Sequence, residues 1–161
     1  NGTDATNQGI EPIARQNLYF LPGALKGQWL GLSATFTESD ATYPDRTDRD
    51  DLPLAGFSPR LFTATVDYQW KNIRARADYY YRGDYVEGLG SDIESDEFFG
   101  EEQRLDAEVH YWLLDRKLRL FATATNLTDE PQVSYQGYPP FVEDASFSGR
   151  KFQFGLQWAL R

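Results

Sequence analysis

The sequence predicts an all-β chain: an antiparallel transmembrane β-barrel segment of about seven strands. Three observations predict it. Large apolar side chains recur at every second position, the connections between those stretches alternate between short and long, and aromatic residues gather at the stretch ends. Successive side chains of a strand point to opposite faces, so a period of two is the strand repeat. It is clearest at 150–160, where Phe152, Phe154, Leu156, Trp158 and Leu160 share one face and Lys151, Gln153, Gly155, Gln157 and Ala159 share the other. A helix would scatter these apolar groups around its axis.

The stretches follow in order. The weakest is 9–20, where Ile10, Ala14, Leu18 and Phe20 share a parity but Pro12 withholds a ladder donor. A turn at 21–27 leads to 29–37, with Leu30, Leu32, Ala34 and Phe36 on one face. After a polar connection at 38–57, the stretch 59–70 alternates cleanly through Phe62, Ala64, Val66, Tyr68 and Trp70. Lys71-Asn72 reads as a hairpin turn. The return at 73–82 sets Ile73, Ala75, Ala77, Tyr79 and Tyr81 against Arg74, Arg76, Asp78, Tyr80 and Arg82. Beyond a polar loop at 83–100, 101–113 opposes Leu105, Ala107, Val109 and Tyr111 to Arg104, Asp106, Glu108 and His110. A turn at 114–116 gives on to a strand from 118 to about 135, and 136–148 connects it to the last one. Short turns at one end and long loops at the other are the asymmetry of an outer-membrane barrel. An odd strand count leaves two unpaired edges, so the seven read as the closing arc of a larger cylinder.

Composition is compatible with this. Among 161 residues no run approaches the ~18 apolar positions of a transmembrane helix. A mean hydropathy of -0.61 does not argue against membrane strands, whose faces alternate. The net charge of -9 argues against a nucleic-acid partner. Cysteine is absent, which excludes disulfides and thiolate metal sites, and the single His110 cannot build a multi-histidine centre. The first residues, Asn1-Gly2-Thr3-Asp4, show neither an initiator Met nor a signal peptide, as expected of a processed or excised piece.

Asn126-Leu127-Thr128-Asp129-Glu130-Pro131, Tyr135-Gln136-Gly137, and Ser148-Gly149-Arg150 leading into Phe152-Gln153-Phe154-Gly155-Leu156 resemble the C-terminal end of TonB-dependent outer-membrane receptors. Leu21-Pro22-Gly23, Leu52-Pro53-Leu54-Ala55-Gly56 and Tyr81-Arg82-Gly83-Asp84-Tyr85 are similar to that family as well. The resemblance implies that 1–161 is the C-terminal portion of a 22-stranded barrel, with the plug domain and earlier strands absent. It implies a place in the bacterial outer membrane and import of a scarce solute, a ferric siderophore or an oligosaccharide, with energy from TonB. The partners it implies are the rest of the barrel, its plug, TonB, outer-membrane lipid and lipopolysaccharide, and the small-molecule substrate. Two other readings differ in kind: a passive outer-membrane channel or structural barrel, and a soluble β-sandwich binding module.

Candidate sites follow from the same pattern. Arg74, Arg76, Asp78, Arg104, Asp106, Glu108 and His110 share a parity, as a lumen-facing wall in contact with a plug would; ion pairing between neighbouring strands of a water-facing wall is the better reading. Phe98, Phe99, Tyr135, Tyr138 and Phe141 lie in the outer connections, where rings could stack on a sugar or an aromatic ligand or simply pack the loops. The carboxylates between Asp84 and Glu102 have the oxygen chemistry of a Ca²⁺ site, but Asp92-x-Glu94-x-Asp96-Glu97 lacks the glycine and register of an EF-hand, so a solvated loop is the better reading. No nucleophile–base pair is evident, and no catalytic residue is assigned.

Overall fold

In the computed structural model, which describes residues 4–43, 46, 52–137 and 140–159, strands stand nearly wherever the alternation places them. They are β1 (Asp4–Ile10), β2 (Ile13–Asn17), β3 (Trp29–Thr42), β4 (Arg60–Trp70), β5 (Ile73–Arg82), β6 (Tyr85–Gly88), β7 (Glu97–Phe99), β8 (Glu102–Leu113), β9 (Leu118–Thr125), β10 (Gln132–Gln136), β11 (Phe141–Ser146) and β12 (Lys151–Trp158). A 3-10 turn, Gly23–Leu25, lies between β2 and β3.

The strands form two open antiparallel sheets. The larger runs β1-β3-β4-β5-β8-β9-β12, with β2 also on β3, and the smaller runs β11-β10-β7-β6. Neither closes. β12 pairs with β9 alone, and β1 and β2 pair with β3 alone. The expected transmembrane barrel, and with it the arc of a 22-stranded cylinder, is therefore corrected. Closure requires the first and last strands to exchange hydrogen bonds. Alternation within a strand sets its faces and carries no information about that meeting.

β1 and β2 are one strand in a single register against β3, from Asp4 opposite Thr42 to Asn17 opposite Trp29. Pro12 divides it, and its carbonyl still accepts from Ala34 N–H at 3.1 Å. β3 accordingly outruns the expected 29–37, because its polar half, Glu38–Thr42 in sequence, finds β1 as a partner. The connections expected as polar loops also hold structure: β6 and β7 lie within 83–100, and β11 within 136–148. The strand expected from 118 to about 135 turns off after Thr125, and β10 joins the smaller sheet.

One face of the larger sheet is largely apolar from β3 to β12. In-register rows cross it, such as Leu30–Val66–Ala77–Ala107–Ala124–Phe152. No described residue covers this face: Val109 is 42% exposed and Phe154 77%. Among the described residues the buried apolar side chains are only Ala41, Leu52 and Val86, at the end where the long connections gather.

Candidate functional site

The smaller sheet brings three of the five expected ring residues together. Tyr135 on β10 stands opposite Phe98 on β7, and Phe99 stands opposite Ser134. Around them opens a cavity of about 250 Å³ lined by Asp84, Phe98, Phe99, Gly100, Tyr135, Gly137 and Pro140. The Tyr135 ring lies against Gly100: a Cβ there would meet Cε2 at 3.1 Å and the Val133 carbonyl oxygen at 3.1 Å. Phe141, on β11, is 71% exposed and does not line the cavity. Tyr138 lies outside the described residues.

Phe99 is held from behind. Its ring stacks on Tyr85 at 5.7 Å between centroids with planes 15° apart. The Arg82 guanidinium lies 4.9 Å from the Tyr85 ring centre and 5.0 Å from that of Phe99, within cation–π range. Arg82 also donates to Glu102 at 3.2 Å, so its charge is already matched. Among the described residues the one formal charge lining the cavity is the Asp84 carboxylate, whose pair with Arg60 (3.3 Å) is largely exposed and correspondingly weak. The cavity thus offers flat apolar walls and a hydrogen-bond acceptor at the rim.

Below it the acidic loop is braced from another connection. Asp96 is fully buried and receives both guanidinium arms of Arg46, at 2.7 and 3.1 Å, and the Gly90 N–H at 3.0 Å. Asp92 accepts from Ser95 through N–H (3.0 Å) and Oγ (2.7 Å). The Ser95 hydroxyl in particular holds that carboxyl below its ordinary pKa. These carboxylates are spent on a turn and an ion pair, and among the described residues no group of three or more metal-ligating side chains converges. Sequence reasoning missed Arg46, which arrives from 50 positions away. It named Asp84 only as a loop carboxylate and Gly137 only within a motif, and it missed Pro140.

The charged row occupies one face of the larger sheet, and its members bind each other. Arg74 reaches Asp67 at 3.2 Å, Arg76 reaches Asp78 at 2.7 Å, Arg104 reaches Asp106 at 3.3 Å and His110 approaches Glu108 at 3.4 Å. Thr65 Oγ1 donates to Asp78 as well. The Arg76 hydrogen bond, with the Thr65 contact assisting, pulls the Asp78 pKa down against the opposing effect of burial, and Arg76 is raised in return. Asp106 accepts the Asn126 N–H at 2.9 Å, tying the row to the corner after β9. The arrangement is a self-neutralising ladder.

Several expectations hung on a closed barrel and are corrected with it. Outer-membrane localisation, TonB-driven import of a siderophore or oligosaccharide, and partnership with a plug, TonB, the remaining strands, lipid and lipopolysaccharide all required a wall sealed against lipid. Two open, unclosed sheets do not provide that wall.

No family model matches the chain, and no curated protein matches it in sequence. Its fold is similar to the crystal structure of the ferric citrate transporter FecA in the unliganded form, with a TM-score of 0.69 and 15% identity. The match covers 94% of this chain and 24% of that one. The likeness is thus distant and partial, and it is one of fold alone.

Proposed function

We propose that the chain is a non-catalytic binding module that holds a small, neutral, ring-bearing solute, such as a sugar, in the cavity of its smaller sheet. One observation carries the reading: Phe98 and Tyr135 are paired across β7 and β10 beside a cavity of about 250 Å³ whose only lining charge among the described residues is Asp84. Aromatic faces suit the apolar side of a sugar or arene, and a carboxylate accepts its hydroxyl donors. An anionic ligand is disfavoured by Asp84 and the neighbouring carboxylates. The fold likeness supports descent from the TonB-dependent receptor superfamily as part of this reading, without its transport cycle. A structural role has its own support in the unbroken apolar face, which a binding pocket does not require.

Calorimetric titration with a neutral hexose oligomer and with catechol tests the proposal. Saturable binding to either should weaken at least about tenfold, ~1.4 kcal/mol, in Tyr135→Ala and Phe98→Ala. It should be unchanged in Lys71→Ala, in the turn between β4 and β5 of the larger sheet. Failure of both ligands to bind, or binding indifferent to both ring deletions, sinks it.

A further inference from the structure

The strand that carries Phe98 and Phe99 is only three residues long, Glu97–Phe99. So short a ladder does not fix its own tilt, and the contacts at its two ends decide it. At the far end the Gly100 N–H donates to the Val133 carbonyl at 2.8 Å. At the near end the Gly137 N–H donates to the Asp96 carbonyl at 2.9 Å, one step past the pairing of Glu97 with Gln136. Gly137 also lies close on the turn before β7: a Cβ there would meet the Glu94 carbonyl oxygen at 2.9 Å. Since Gly137 lines the ring cavity, the main chain of Asp96 sets how that wall stands.

The place of Asp96 is set in turn by its side chain, which is fully buried. Arg46 Nη1 donates to Asp96 Oδ1 at 2.7 Å and to the Gly90 carbonyl at 3.1 Å, and Nη2 donates to Oδ2 at 3.1 Å. The Gly90 N–H adds a bond to Oδ1 at 3.0 Å. One guanidinium thus ties both ends of the 90–96 turn. Arg46 belongs to the connection between β3 and β4. From that same connection the Gly56 N–H donates at 2.8 Å to the carbonyl of Val86, the β6 residue opposite Phe98. The connection therefore holds the smaller sheet at two points, yet neither Arg46 nor Asp96 lines the cavity.

We propose that Arg46 and Asp96 are positioning residues of the ring cavity, acting from outside it. The buried pair fixes β7 against β10, hence Phe98 against Tyr135, and with that spacing the affinity for the ligand. This rests on the cavity being the binding site and adds what governs it. Without Arg46 the Asp96 carboxylate keeps the Gly90 N–H but loses its counter-charge. An uncompensated buried charge is costly, and movement toward water relieves it. That movement draws the Asp96 carbonyl away from Gly137 and opens the wall. By the reciprocity of coupled equilibria, a ligand seated against the rings strengthens the hold of the Arg46 connection in return.

Titration of the hexose oligomer and of catechol into Arg46→Ala should show binding at least about tenfold weaker than in the unsubstituted chain. In a Tyr135→Ala background the same change should cost less than about threefold, because the ring it positions is gone. A contribution to stability alone would give no such interdependence. Where Arg46→Ala does not fold, Arg46→Lys decides: it keeps the charge but lacks the planar fork that holds both carboxylate oxygens, and should lose at least about threefold. The four tryptophans, Trp29, Trp70, Trp112 and Trp158, all stand in the larger sheet, so unchanged emission shows that sheet intact. With no ligand present, hydrogen exchange at the Gly137 N–H should quicken at least about tenfold in the variant. Failure of both ligands to bind the unsubstituted chain overturns the binding reading, and this proposal with it. Undiminished binding in the Arg46 variant that folds, losses that multiply in full with Tyr135→Ala, or unchanged exchange at Gly137 overturns the positioning role alone.

Discussion

Asn126 shows how one side chain can turn a strand. Its backbone is left-handed, φ 54°, a region asparagine tolerates better than most residues. Its Oδ1 accepts from Glu130 N–H at 3.1 Å and Thr128 Oγ1 at 3.2 Å, while Nδ2 donates to the Glu130 carbonyl at 3.3 Å and Ser148 Oγ at 3.2 Å. The Asn126-Leu127-Thr128-Asp129 motif is therefore a corner, built where β9 leaves the sheet. Asn126→Ala loses the amide bonds and strains the backbone. Urea unfolding should show a loss of about 2–4 kcal/mol, from ~1–3 kcal/mol per stranded buried group plus the left-handed penalty. Asn126→Gly, which relieves only the strain, should fall between Ala and the unsubstituted chain. Arg46→Ala leaves the Asp96 carboxylate buried without its main partner, and about 3–5 kcal/mol should be lost; Arg46→Ala/Asp96→Asn should recover part of that. Gly100→Ala pushes a methyl into Tyr135 and should weaken sugar binding while leaving the larger sheet intact.

Among the elements, the polar faces of β4, β5 and β8 carry a pH dependence. The folded-state pKa of Asp78 lies below its ordinary value, chiefly through the Arg76 hydrogen bond. Its contribution is complete above the unfolded carboxylate value of about 3.9 and disappears as pH falls through the lower folded value. The stability difference between the unsubstituted chain and Asp78→Asn should therefore be level from pH 7 to 5 and shrink between about pH 4 and 2. The pair is part-exposed, so the effect is modest; a difference that grows on acidification would refute the assignment. The elements also show which local patterns speak. β4, β5, β8, β9 and β12 were legible because large apolar groups alternate with charged or small ones. β1 and the far half of β3 were not: Asp4–Ile10 has no apolar stripe, and it is a strand only because Glu38–Thr42 in the facing chain completes its ladder.

For the molecule as a whole, the decisive property is an apolar face with no cover. Three buried apolar residues among those described cannot hold so long a chain by burial. Ladder hydrogen bonds, in-register cross-strand pairs and the braced connections carry the fold. The uncovered face should bind the dye anilinonaphthalene sulfonate in the native state, and Phe154→Thr/Leu156→Thr should reduce the enhancement without loss of strand circular dichroism. No enhancement in the native chain would mean that the face is covered in solution.

The sequence by itself determined β4, β5, β8, β9, β12 and the near half of β3, the parity of their faces and the shared polarity of the Arg74–His110 row, because side-chain alternation is a local consequence of backbone pleat. It also located Phe98 and Phe99 in a connection away from that sheet, but it runs the strand from 118 on to about Tyr135, which the structure places on β10. Only the tertiary structure decided the rest: that the sheet stays open, that β6, β7, β10 and β11 assemble a second one, that Tyr135 meets Phe98, and that Arg46 reaches Asp96. Each of these is a meeting between distant segments. The free energy of such a meeting depends on register and on what else competes for the same edge, and neither quantity is written in the spacing of residues along one strand.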